Sequence, residues 1–499
     1  MERAEKRQLK RGAGVLMPIS SLPNEFGIGS LGREAYEYAD FVKEMGFAYW
    51  QVLPVGPTSF GDSPYQSFSA FAGNPYFISL DRLKEDGLLQ EEELEEYQVE
   101  SSDVIDYAQI YQTRFCILKK AFLRSTHYEM PEFKKFCEEN TYWLDDYCLY
   151  MAVKNASFDQ EWSLWEEDIK FRKPEAVKKY KKELEQEIEF YRFLQYEFRI
   201  QWNALKKYVN SLGIQMIGDI PLYVAMDSAD VWVHPSLFEL DKELKEVNIA
   251  GVPPDIFSKD GQRWGNPIYN WEHMEREDFN WWRRRMQASA SLYDVIRIDH
   301  FIGIVNYWSI PAKDKTAVGG QWKMGPGEKL VKVINESIGN AKIIAEDLGV
   351  LTPAVKKVMK KAGYPGMKVL EFGLDGNPAN EYLPHNYITN NIITYIGTHD
   401  NETLVGFLNG KKRKDISRLL TFFSIRKRAD LPAAVIRCMF ASISNVVMIQ
   451  MQDLLFLDNK ARMNYPSTLG GNWIWRMQKE QYPLIDTGYY KKLCHMYNR

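Results

Sequence analysis

The sequence predicts an α/β fold: a (β/α)8 barrel carrying large, mostly helical insertions. Three observations carry that expectation. Eight short runs are apolar and rich in β-branched residues, as strands buried on both faces of a parallel sheet require. Most of these runs are separated by helical patterns, which is the alternation of a barrel. The chain has 499 residues, too many for one simple core of about 100–200 residues and enough for a barrel of about 250 residues with additions.

In chain order the predicted strands are residues 14–20 (GVLMPIS), 49–55 (YWQVLPV), 216–224 (MIGDIPLYV), 295–301 (VIRIDHF), 342–349 (KIIAEDLG), 368–373 (KVLEFG), 391–400 (NIITYIGTHD) and 446–455 (VVMIQMQDLL). The second and third are about 160 residues apart. That stretch is helical in pattern and highly charged, as at 91–96 and 173–189, and such runs read as solvated helix faces. It predicts a helical subdomain over 85–200. A second insertion, 225–285, is rich in Pro, Gly and Trp. Its segment 251–271 (GVPPDIFSKDGQRWGNPIYNW) reads as a loop, and an ordered loop this aromatic tends to be functional. The whole chain, 1–499, is expected to form one catalytic barrel with these two insertions. It shows no internal repeat and no low-complexity tract.

Composition narrows the function classes. Lys and Arg number 63 against 67 Asp and Glu, a net charge of −4, so no basic surplus recommends nucleic acid. The 29 Tyr, 26 Phe and 14 Trp can stack on sugar rings but also fill cores, and the count alone favours core filling. Cys116, Cys137, Cys148, Cys438 and Cys494 form no C-x-x-C pair, which suggests free thiols in a reducing compartment. No apolar leader and no run of 18 apolar residues occurs, so a cytoplasmic location away from membranes is expected.

Three acids stand at predicted strand ends: Asp299 after VIRI, Glu346 after KIIA, and Asp400 at the close of IGTHD. Asp219 in IGDIP is a fourth. In a barrel all four face the C-terminal mouth, where barrel enzymes do their chemistry. Glycosidic bond cleavage needs such a group: one carboxyl protonates the leaving oxygen and another meets the developing positive charge. Arg297 shares a strand face with Asp299 and would hold it ionised as a nucleophile. Glu346 must keep its proton near neutral pH, so burial beside other carboxylates should raise its pKa. Asp400 would bind ring hydroxyls of the distorted sugar. His300 and His399 could donate to sugar hydroxyls. The same cluster could in principle hold a divalent metal, but Arg297 would repel a cation and no H-E-x-x-H or H-x-x-E-H motif occurs, so no metal is expected. No G-x-S-x-G elbow and no Walker A loop is present, and the G-x-G-x-x-G match at 27–32 follows a proline-containing loop and reads as a turn.

Taken together, the motifs resemble those of the 4-α-glucanotransferases called amylomaltases or disproportionating enzymes, glycoside hydrolase family 77 of the α-amylase clan. The matching blocks are SLPNEFGIGSLG (21–32), SPYQSFSAFAGNPYFISL (63–80), GDIPLYV (218–224), GVPPDIFSKDGQRWGNP (251–267), RIDHF (297–301), AEDLG (345–349), GTHDNETL (397–404) and RMNYPSTLGGNWIWR (462–476). The resemblance implies a barrel without a separate C-terminal β-domain, with Asp299 as nucleophile, Glu346 as acid/base and Asp400 as transition-state stabiliser. It implies that Tyr65, Asp219, Arg297 and His399 line the sugar pocket, Tyr65 stacking on the sugar held there. The 251–271 segment becomes a lid in which Asp255, Phe257, Ser258, Gln262 and Trp264 contact glucan. The implied reaction moves a 4-α-glucanosyl unit from an α-1,4-glucan or maltooligosaccharide to another glucan or to glucose, with no added cofactor. An aromatic lid that excludes water and holds the acceptor favours transfer over hydrolysis. The alternatives are an α-glucan hydrolase of the same clan and a catalytically inactive glycan-binding protein. Two departures, Ile302 where the family often has Arg and Ser467 where it often has Gly, touch acceptor preference and leave the acids intact.

Overall fold

The computed structural model describes residues 8–499 apart from 60, 255–257, 350 and 469. Among the described residues there are twelve strands: β1 (Gly12–Leu16), β2 (Tyr49–Gln51), β3 (Gln215–Ile220), β4 (Asn248–Val252), β5 (Gln262–Pro267), β6 (Val295–Ile298), β7 (Asn306–Pro311), β8 (Gln321–Met324), β9 (Lys342–Ala345), β10 (Gly366–Val369), β11 (Ile392–Tyr395) and β12 (Val446–Gln450). Eight of them form one sheet in the order β10-β11-β12-β1-β2-β3-β6-β9, with every neighbouring pair parallel. These are the eight runs the sequence singles out, and they make the (β/α)8 barrel.

The two ends of this sheet, β9 and β10, meet without a regular ladder. The Ala345 N–H donates to the Pro365 carbonyl at 3.0 Å, and the Asp347 carboxylate accepts from the Met367 N–H at 2.7 Å. A side chain therefore replaces part of a missing ladder, and the cylinder is nearly closed. Inside it, Leu16, Tyr49, Ile217, Val295, Ile344, Met367, Ile393, Tyr395 and Met448 form one buried cluster. They alternate along each strand with residues that pack outward against the helices, as strand periodicity demands.

Helices occupy the chain from Leu80 to Ser211, between β2 and β3. The longest, Glu185–Ser211, ends against β3; its Trp202 is fully buried and donates to the Leu292 carbonyl at 3.0 Å. Lys154 and Tyr150 on the helix Leu144–Ala156 both reach Asp227, each at 2.6 Å, and tie the helical region to the chain that follows β3. Many aromatics serve the interior, since Trp50, Trp162, Trp202, Trp232 and Trp282 are fully buried.

Two expectations need correction. The 251–271 segment is not all loop, because β5 lies within it and pairs antiparallel with β4, Gly251 opposite Arg263 and Val252 opposite Gln262. Glycines that read as loop-formers here serve a bulged hairpin. Gly261 has φ +67 and a Cβ there would meet the Val252 carbonyl at 2.4 Å; Gly265, at φ +78, lies inside β5. Together with β7 and β8 these strands form a four-stranded sheet, β5-β4-β7-β8, so this insertion is partly β-structure. The predicted strands are also too long: Leu370–Gly373, within 368–373, and Met451–Leu454, within 446–455, are short helices, and 391–400 likewise overruns. β11 stops at Tyr395, and Asp400 stands on the loop beyond it. Gly397 permits that turn, since a Cβ there would come within 2.9 Å of the Asn401 side chain.

Among the described residues no helix is long and apolar enough to cross a membrane, and all five cysteines are free thiols.

Candidate active site

Register and parity place the acids. Asp219 is paired with Arg297, and Ile298 with Ala345. The next residues, Asp299 and Glu346, therefore leave adjacent strands at the same height. Ile217, Val295 and Ile344 belong to the inner cluster, so Asp219, Arg297, Asp299 and Glu346, at even spacings from them, face the barrel mouth. The ladder continues one step to fix the turn: the Asp299 N–H donates to the Ile220 carbonyl at 2.9 Å and the Glu346 N–H to the Ile298 carbonyl at 3.1 Å.

Arg297 is the hub. Its Nη1 donates to both Asp219 oxygens, at 2.7 and 2.8 Å, and to Asp299 Oδ1 at 2.9 Å. Arg297 and Asp219 are buried, and Asp299 keeps 29 % of its side chain exposed, so the free carboxylate edge faces the cleft. Burial opposes the Arg297 charge, but Asp219 and then Asp299 outweigh it and raise its pKa. Tyr65 Oη donates to Asp219 Oδ2 at 3.0 Å. Burial first, then the Asp219 charge, raises the Tyr65 phenol well above its ordinary range, so it stays a neutral donor.

Glu346 sits differently. Its Oε2 accepts from the His300 N–H at 2.8 Å and its Oε1 from the Leu348 N–H at 2.6 Å. Burial and then the charge of Asp299 push its carboxyl up to about 8. The two backbone donors oppose the shift without cancelling it. His300 presents its N–H by adopting a left-handed backbone, φ +51, an uncommon conformation for a residue with a Cβ. Burial lowers its imidazole to about 4, so it is neutral near pH 7.

Asp400 completes the rim. Burial disfavours its charge, yet His399 and Asn464 outweigh burial and hold its carboxyl well below the usual carboxylate range. His399 Nε2 lies 3.4 Å from Asp400 Oδ2, and Asn464 Nδ2 donates to Asp400 Oδ1 at 2.6 Å. Arg462 fixes the loop through the Asp400 carbonyl at 2.7 Å. The rings of Tyr65 and His399 stack at 5.2 Å, and Trp473 packs 5.8 Å from each.

From the 251–271 segment, Trp264 stands edge-on to His300, centroids 4.8 Å apart, and its Nε1 donates to Gln262 Oε1 at 3.1 Å. Ser258 Oγ donates to the Gly261 carbonyl at 2.7 Å within the hairpin turn. Asp255 and Phe257 lie outside the described residues. The structure thus gathers Tyr65, Asp219, Arg297, Asp299, His300, Glu346, His399 and Asp400, and brings Trp264 and Gln262 to their edge. Arg462, Asn464 and Trp473 were missed as individuals. Their only sequence signal is the RMNYPSTLGGNWIWR block, which gives no role to any one residue. Ser467, which departs from the usual Gly, has φ +65, a conformation that favours glycine. Among the described residues no group of three His, Cys, Asp or Glu side chains could hold a metal ion.

Comparison with known proteins gives concordant results. The family described as 4-alpha-glucanotransferase matches residues 17–481. A 4-alpha-glucanotransferase from Clostridium butyricum is 47% identical over 464 residues, 92% of this chain and 95% of that one. One from Thermus thermophilus is 44% identical over 480 residues, 94% and 95% of the two chains. The structure of an amylomaltase from Streptococcus agalactiae in complex with acarbose superposes with a TM-score of 0.93 at 40% identity, covering 98% of this chain and 100% of that one.

Proposed function

Since the chain belongs to the 4-alpha-glucanotransferase family, and is an enzyme of that activity on α-glucans, we propose that it transfers glucan by a retaining double displacement at Asp299 and Glu346. The observation that carries this reading is the contrast between two neighbouring carboxyls. Asp299 is ion-paired to Arg297 at 2.9 Å, and Glu346 is raised to about 8. One is fitted to attack and the other to donate a proton.

In the first step Asp299 attacks the anomeric carbon while Glu346 protonates the glycosidic oxygen. The shortened glucan leaves with that proton, and a glycosyl ester remains on Asp299. Esterification removes the charge that helped raise Glu346, so its pKa falls and it stays ionised. In the second step Glu346 takes the proton of an acceptor 4-hydroxyl, that oxygen attacks the anomeric carbon, and Asp299 is released. Two inversions give net retention. Asp400, held ionised, accepts hydrogen bonds from the hydroxyls of the distorted ring. Tyr65 and Trp473 offer ring faces to the sugar, and His300 and His399 offer ring donors. The acceptor is a maltooligosaccharide, a longer glucan or glucose.

We also assign the 251–271 segment the part of a lid. Trp264 against His300 supports this, since an aromatic over the intermediate excludes water and presents an acceptor. The helices of 85–200 form a subdomain walling the same cleft.

Incubation with maltotriose, with products resolved over time, tests the reading. A ladder of longer maltooligosaccharides plus glucose, with constant reducing ends and α-configured new linkages by NMR, is expected. Glucose and maltose with rising reducing ends and no longer chains would overturn transfer. Near-normal activity in Asp299→Ala would overturn the nucleophile assignment.

A further inference from the structure

A second pocket opens away from the carboxylates, between the helix Leu144–Ala156, the chain after β3, and the N-terminal end of the helix Asn280–Leu292. Its volume is about 140 Å³, well under the roughly 300–1,000 Å³ of pockets for drug-sized ligands, so it suits one small ring.

The floor is aromatic and buried. The ring of Phe71 lies nearly parallel to Trp143 at 6.2 Å, and meets Trp281 edge-on at 5.9 Å and Tyr142 edge-on at 5.5 Å. Phe71, Trp143 and Trp281 are each under 9 % exposed. The rim is polar and exposed, and offers donors and acceptors together. The Arg284 guanidinium lies 5.3 Å from the Tyr142 ring centroid. Asn280 and Glu277 stand beside it. Asp146, also on the rim, is already tied to Arg172 at 2.7 Å. Glu277 Oε1 lies 3.2 Å from His273 Nε2, and Asp230, also in the lining, accepts from the Ala70 N–H, so each of the three carboxylates already has a partner. That disfavours a free cation as ligand. An apolar floor with alternating donors and acceptors matches a pyranose, whose C–H face stacks on aromatics while its hydroxyls bond at the edge.

We propose that this pocket, lined by Phe71, Trp143, Trp281, Asn280 and Arg284, binds a single neutral pyranose ring, separately from the catalytic cleft. Its floor is in covalent continuity with the cleft. Phe71 lies six residues beyond Tyr65, and the Asp230 carboxylate below the pocket accepts from the Ala70 N–H at 2.8 Å. An occupant therefore touches the segment that presents Tyr65. The proposal does not depend on the roles given to Asp299 and Glu346.

The test is fluorine NMR on the full chain labelled with 5-fluorotryptophan, the Trp143 and Trp281 signals being assigned with Trp143→Phe and Trp281→Phe. D-glucose and methyl α-D-glucoside are titrated separately; neither consumes a donor glucan. Both signals should shift saturably with Kd on the order of 1–10 mM, and Arg284→Gln should weaken binding by about tenfold. Asn280→Ala is a second variant should Arg284→Gln fail to fold. Shifts at Trp264 and Trp473 report the catalytic cleft and are read separately. A response to glucose alone identifies a free monosaccharide as occupant. A response to the capped glucoside identifies a ring joined through C1, as at the end of a chain. Either result supports the site. The proposal is overturned if neither sugar moves both signals, if only tetramethylammonium does, or if both rim variants bind as the wild type does.

Discussion

Glu346 should leave a signature in both activity and stability. Burial and the Asp299 charge push its carboxyl up to about 8 from an ordinary 4.5, so about nine-tenths of the enzyme carries the acid proton at pH 7 and about one-tenth at pH 9. The value of kcat/KM for maltotriose should therefore halve near pH 8 and fall about tenfold per pH unit above it. The same shift makes stability pH-dependent. The folded protein holds this proton more tightly than the unfolded chain, so the stabilisation is complete below about pH 4.5 and is lost as pH rises through about 8. The loss is about 1.4 kcal/mol per pH unit, about 5 kcal/mol over the whole interval. Glu346→Gln removes that slope. It also replaces one of two acceptor oxygens with an NH2 facing a backbone N–H, a pH-independent cost of about 1–3 kcal/mol. Urea denaturation of both proteins between pH 5 and 8.5 separates the two effects, because titrating groups remote from Glu346 cancel in the difference. Transfer by Glu346→Gln should drop by about 10²–10⁴. Equal pH slopes in the two proteins, or a wild-type alkaline limb that begins only above pH 10, would refute the assignment of a neutral Glu346.

Asn464→Ala removes the 2.6 Å donor to Asp400; kcat should fall by about 10–100-fold with KM changed much less, as steady-state kinetics would resolve. Trp264→Ala uncovers the intermediate, and the hydrolytic share of maltotriose turnover should rise about tenfold by reducing-end assay. Dialysis against a chelator should leave kcat within about twofold, and a loss restored by a divalent cation would give a metal a part in the reaction. Gly366→Ala would set a Cβ 2.4 Å from Asp347 Oδ2, expelling the carboxylate from the Met367 N–H and destabilising the protein by about 1–3 kcal/mol in urea.

The barrel and its acids were legible because buried parallel strands leave a strong imprint. Each of the eight is a short apolar run, and Val295, Arg297 and Asp299 share a parity that the inner cluster then confirms. The hairpin β4–β5 was not legible. Its pairing depends on Gly261 and Gly265 at positive φ, and sequence alone cannot tell such glycines from those of an irregular loop. Strand ends were also hidden, since β11 stops at Tyr395 although the run stays apolar to Ile396. Asn464 and Trp473 reach the site only through a fold that returns residues 462–473 to the barrel mouth. No periodicity marks that return, and neither residue type is chemically distinctive there.

The site's division of labour follows from where one guanidinium can reach. Asp299 and Glu346 leave adjacent, in-register strands, so sequence position alone makes them near equivalents. Arg297 breaks the equivalence. It lies two residues before Asp299 on the same inward face and donates to it directly, and its nearest other acceptor is Asp219 on the opposite flank. Glu346, on the far side of Asp299, receives only backbone N–H groups among the described residues. The charge of Asp299 is the second-largest influence raising Glu346, after burial. Asp219 serves the pair by anchoring the guanidinium from behind. Loss of Asp219 would free Arg297 to turn toward other acceptors, so its effect belongs to the electrostatics of both Asp299 and Glu346, although Asp219 itself is fully buried behind the guanidinium.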